Sequence, residues 1–139
     1  MNTNKIVLSG IAGGVTYFLL GWLVYGIILS DFMAANGNQC IMKPMEEMIW
    51  WSMIVSNIAG GLMLALILSW SNNVGVVSGI QKGAIIGLLL GIAVNFSFYS
   101  MSTLYLNLTA VVVDVVATTF VMAIIAAVVA AVLGSGKKE

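Results

Sequence analysis

Histidine and arginine are absent from this 139-residue chain, cysteine and proline each occur once, and only 7% of its residues are charged. With no histidine and Cys40 as the lone thiol, there are too few ligands for a zinc site, a histidine-ligated haem or an iron–sulfur cluster. A Ser–His or Cys–His nucleophile system is excluded for the same reason. No cofactor and no resident metal are expected, and the chain does not read as an enzyme. A soluble domain carries about a quarter charged residues to keep its surface wet. Five basic and five acidic side chains cannot do that here. The same scarcity excludes a disordered chain and a nucleic-acid binder with a basic face.

What is abundant is apolar: 61% of the residues are hydrophobic, and 15 are glycine. A helix needs roughly 20 apolar residues to cross a hydrocarbon core of about 30 Å. Four stretches are long enough. They run from Ile6 to Leu29, from Met48 to Leu68, from Gly83 to a point between Tyr99 and Leu106 (residues 83–104 as a working span), and from Leu108 to Leu133. The first is far longer than the roughly 7–15-residue core of a cleaved signal, so it is expected to be a retained span. The fold expected is all-α: a polytopic membrane protein, a four-transmembrane-helix bundle forming one domain over residues 1–139.

Lysine placement suggests the orientation. Lys5, Lys82, Lys137 and Lys138 fall on one side of a four-span layout and Lys43 alone on the other. The positive-inside rule then puts both termini in the cytoplasm of a cell whose cytoplasmic (inner) membrane holds the chain. Trp50, Trp51 and Trp70 sit at span ends, where indoles favour the headgroup region. The loop from Ser30 to Glu47, with its turn formers Asn36, Gly37, Asn38 and Pro44, faces outward in this layout. A short polar loop around Ser71, Asn72, Asn73 and Gly75 faces inward. Asn107 is placed to cap the last helix.

Helices in lipid gain little from the hydrophobic effect and are held by close backbone approach between small residues. Span three carries Gly79, Gly83, Gly87, Gly91, Asn95, Tyr99 and Thr103, each four residues apart. Span two offers Gly60 and Gly61, with Ser52, Ser56, Asn57, Ala65 and Ser69 on the neighbouring rows. Span four offers Ala123, Ala127 and Ala131 beside Ala126 and Ala130, and span one offers Gly10, Gly14 and Gly21. Gly83, Gly87, Gly91, Gly60 and Gly61 are therefore the expected packing residues. Such faces serve a compact bundle, or a homo-oligomer when one of them is left over.

Asp114 is the one ionisable residue inside a span. A carboxylate at mid-membrane costs about 2.5–3.5 kcal/mol on insertion scales, so it is expected to face protein or a water-filled cavity. Asn95, Ser97 and Tyr99 in span three, Ser56 and Asn57 in span two, and Thr118 one turn beyond Asp114 share its half of the bundle. Together they are the candidate polar pocket, expected to open outward over a dry inner half. In one reading Asp114 is a structural pin bonded to Asn95 or Tyr99; in the other it binds a proton, a cation or a polar head group. Near the outer loop, Met33, Met42, Met45 and Met48 flank Cys40, a setting that only weakly suggests a soft-metal site.

The run Leu20-Gly21-Trp22-Leu23-Val24-Tyr25-Gly26, followed by Leu29 and Phe32, resembles the first span of a bacterial four-helix inner-membrane protein family of unknown function. The apolar run from Leu108 to Asp114 is similar to that family's last span, although an aromatic residue expected shortly after the acid is missing. The resemblance implies the architecture and no activity. The expected function is a non-enzymatic multi-pass binding or accessory component, with lipid around it and a small-molecule or ion ligand left open. The alternative is a small proton- or cation-linked transporter or channel using Asp114.

Overall fold

The computed structural model describes residues 2–71 and 75–135. Asn72 and Asn73 of the inner loop, and Lys137 and Lys138 of the charge bias, lie outside the described residues. Among the described residues five α-helices follow one another: α1 (Thr3–Leu23), α2 (Ser30–Asn36), α3 (Trp50–Ser69), α4 (Val76–Met101) and α5 (Leu108–Gly134). A wider π turn, Val24–Ile28, extends α1. Four helices, α1 with its π turn, α3, α4 and α5, are long and apolar enough to cross a membrane. No β-strand occurs among the described residues, only an isolated bridge between Gly37 and Tyr105.

Local chemistry sets the ends. Asn2 caps α1 by accepting from the Asn4 amide at 3.1 Å, and Asn107 caps α5 by accepting from the Ala110 amide at 2.9 Å. The helix α4 begins at Val76, seven residues ahead of the Gly83 start expected from the charge at Lys82. Gly79 is buried against α5 just as Gly83 is, so the packed face runs straight through the charged position. The lysine's long stem lets this happen, carrying its amine to the Ser71 hydroxyl. At the other end Ser102 is extended, and its hydroxyl donates to the Phe98 carbonyl at 2.7 Å, closing α4 before Thr103.

Glycine then dictates the packing. In the antiparallel pair α1–α3, Gly61 lies against the Gly10 carbonyl and the Gly14 amide so closely that a Cβ there would overlap both. A Cβ on Gly14 would stand 2.8 Å from the Ile58 Cα. In the pair α4–α5, Gly79 and Gly83 face Ala126, and a Cβ on Gly87 would stand 2.7 Å from that of Met122. The two pairs join along α1 and α5, where Gly13 meets Val129 and Ile125. The core, with Leu64, Leu68, Ile125 and Val129 fully buried, lies toward the end that carries both termini. Of the expected packing glycines, Gly61, Gly83 and Gly87 are thus pressed against a neighbouring helix of the same chain. Helix α3 barely touches α4, which leaves a cleft between them over the α1–α5 seam.

These contacts separate glycines that are needed from glycines that are not. Gly61→Ala meets backbone that cannot rotate away, so it is expected to cost about 1–3 kcal/mol. Gly21→Ala meets nothing within 4 Å and is expected to be neutral or slightly stabilising. Thermal unfolding of both variants in one detergent checks the contrast.

Candidate functional site: a carboxylate held by uncharged donors

The glycine row of α4 ends in a polar residue. Asn95 is the next step after Gly91 and only 6% exposed, and the row that buries the glycines lays it against α5 at Asp114. Its Nδ2 donates to Asp114 Oδ2 at 2.5 Å.

A second donor comes from the short link between α4 and α5. The Tyr105 hydroxyl stands 3.1 Å from Asp114 Oδ2 and 3.1 Å from Asn95 Oδ1, so its single proton serves one acceptor at a time. Tyr105 is held there by a strap. The Asn38 amide donates to the Leu104 carbonyl and the Leu106 amide to the Asn36 carbonyl, both at 2.9 Å. Side chains repeat the tie: Asn38 Nδ2 donates to Thr103 Oγ1 at 3.1 Å, and Asn107 Nδ2 to Asn36 Oδ1 at 2.7 Å. Asn107 therefore caps α5 and anchors the strap at once. Burial first, and then the Asp114 carboxylate, push the Tyr105 phenol above its ordinary range, so it stays protonated as a donor.

The third contributor is Tyr25, in the π turn. Its hydroxyl lies 3.3 Å from Thr118 Oγ1 and also interacts with Asp114. Wider turns of this kind recur at functional sites because the extra residue re-aims a side chain. The groups around the carboxyl are thus an amide, two phenols and a hydroxyl, all uncharged.

Of the residues chosen from sequence, Asp114, Asn95 and Thr118 come together. Tyr99 does not: each four-residue step rotates about 40° beyond a full turn, and one step past Asn95 leaves it 41% exposed. Its expected place on Asp114 is taken by Tyr105. Ser97 is exposed and donates back to the Ala93 carbonyl at 2.7 Å. Asn57 lines a small apolar groove with Gly14 and Phe18, away from the carboxyl. Ser56, Gly60 and Gly91 instead line the cleft between α3 and α4, a cavity of 320 Å³ to which all four long helices contribute and which Asn95 and Thr118 border. The space beside the cluster therefore opens sideways between two helices, where the sequence suggested an opening at the loop end. Sequence reasoning missed Tyr105 and the role of Tyr25. Tyr17 and Tyr25 lie eight residues apart, one stripe of a helix, which is a usable signal; nothing local marks Tyr105.

Removing the Tyr105 hydroxyl tests the strap. Tyr105→Phe is expected to lower stability by about 1–2 kcal/mol, the worth of a partly exposed hydrogen bond to a charged group. Because the folded phenol titrates above its unfolded value, its contribution is complete below about pH 10 and lost as pH rises further. Wild-type unfolding should thus fall more steeply above that pH than unfolding of Tyr105→Phe. Comparison of the chain with protein-family models, with curated proteins and with solved structures finds no match.

Proposed function

We propose that the chain is a non-enzymatic multi-pass protein of a cytoplasmic membrane, both termini on the cytoplasmic side, that binds a ligand at the Asp114 cluster in the outer half of the bundle. The observation that carries this is the setting of the carboxyl: uncharged donors hold it beside a cleft that all four long helices line. Intramembrane acids that face a bundle interior are most often binding or transfer sites. The orientation is supported by Lys5 and Lys82 at the end that carries the termini, with Lys43 at the loop end. Lys5 also ties the start of α1 to the Ser135 carbonyl after α5.

Binding is favoured over conduction by the other half of the molecule. Below the cleft, glycine and alanine backbones meet, the buried Ser9 hydroxyl is turned back onto the Ile6 carbonyl of its own helix, and the core there is closed by Leu64, Leu68, Ile125 and Val129. A path for protons or cations would need polar groups through that plug. The resemblance in spans one and four fits the same architecture.

Two measurements test the proposal. Cys40 is the only thiol and is exposed. An impermeant maleimide should label it on intact cells, whereas Cys40→Ser carrying Ser135→Cys should label only after lysis; the reverse pattern overturns the orientation. Aspartate occurs only at positions 31 and 114, so isotope-labelled aspartate in an Asp31→Asn background gives one infrared reporter. Its band should respond to deuterated buffer and to small ammonium ions. An unresponsive band, with Asp114→Asn merely less stable, would make Asp114 a structural pin.

A further inference from the structure

We infer that the cleft between α3 and α4 is a lateral binding site for an amine-headed, single-chain amphiphile, its head at Ser56 and Asn95 and its tail running past Thr118 and Leu90 to Met63 and Met122. The inference rests on the membrane reading above and names the ligand class and the entry route for that same site.

Polarity along the cleft carries it. The four long helices alternate in direction, so position along each converts to height in the bundle. Ser56 in α3 and Asn95 in α4 stand at one level, toward the loop end. Thr118 lies about a turn deeper beside Gly91, near the depth of Leu90, and Tyr17 lies beside Gly60; Met63 and Met122 stand about two turns below Ser56 and Asn95. The cavity is therefore most polar toward the loop end and apolar toward the termini, as a head group and chain require. At 320 Å³ it falls at the small end of the ligand sites of about 300–1,000 Å³ found in proteins.

The carboxyl chooses the head. The exposed Ser56 hydroxyl borders the cleft without a hydrogen-bond partner among the described residues and can accept from an amine, although a hydroxyl alone does not select the charge. Behind Asn95 lies Asp114, the one carboxyl within the spans, which no cationic side chain among the described residues neutralises. A cationic amine complements both; a carboxylate head would meet repulsion. The route is set by the gap itself. Val94, 48% exposed, lines the opening, so in a bilayer it faces acyl chains instead of water. Gly91 lines the cleft, and a Cβ there would make only ordinary contacts, 3.4 Å from the Val115 Cα at the nearest, so a larger side chain at this position is the substitution chosen to narrow the cavity.

The test uses the full chain in phosphatidylcholine nanodiscs with two photoreactive probes, a diazirine dodecylamine and the matching dodecanoic acid. Saturable labelling by the amine at Met63, Leu90 or Met122 is expected, displaced by plain dodecylamine and at least tenfold stronger than labelling by the acid. Gly91→Leu and, independently, Ser56→Leu should each reduce it about tenfold while a thermal melt shows the fold retained. Asp114→Asn should bring the amine-to-acid ratio close to one. Equal labelling by both probes, labelling that does not saturate, or labelling unchanged in both leucine variants overturns the inference. If labelling fails while the Asp114 infrared band still responds to buffer and ammonium ions, the lateral site falls and the proposed function stands. If neither responds, both fall.

Discussion

Close backbone contact along the four-residue row of α4 is the constraint on which the remaining structure depends. Gly79, Gly83 and Gly87 let α4 settle against Ala126 and Met122 of α5 at a distance that any side chain would prevent. A row of this spacing is inclined to the helix axis, so it fixes both crossing and register. Register is what matters for chemistry. Once three glycines are seated, the fifth position of the row has one place to go, and that place is Asp114. An amide bonded to a carboxylate at 2.5 Å is the consequence of glycine packing two and more turns away.

The strap adds what the helices cannot. A carboxylate in an apolar setting must be matched by donors or be neutralised, and α4 provides only one. Tyr105 comes from a link of six residues, too short to organise itself, and is placed by pairing with residues 36–38 of the distant loop. Asn36, Asn38 and Asn107 do the tying through their side chains. The cluster therefore joins three of the four long helices and the loop end: the π turn after α1 through Tyr25, α4 through Asn95, α5 through Asp114 and Thr118, and both connections of the loop end through Tyr105.

Much of this was legible beforehand, for identifiable reasons. Four apolar runs, the Asn107 cap and the glycine row are local signals of length, side-chain type and period. Asn95 and Asp114 could be paired because helices packed along a row inherit its register. The start of α4 was not legible, since a lysine inside a helix looks like a boundary until its stem is seen to reach Ser71. Tyr99 was a reasonable choice by spacing and failed because the row winds off the interface. Tyr105 was invisible, because its position is a property of two loops pairing across about seventy residues of sequence, which no local period encodes.

The account's central claim is that packing register holds Asn95 on Asp114 as one energetic unit. A double-mutant cycle measures that directly: unfolding free energies of the wild type, Asn95→Ala, Asp114→Ala and the double variant in one lipid mixture. The account predicts a coupling of about 1.5–3 kcal/mol, the range for a hydrogen bond to a charged group. A coupling indistinguishable from zero, with both single variants folded, would contradict it.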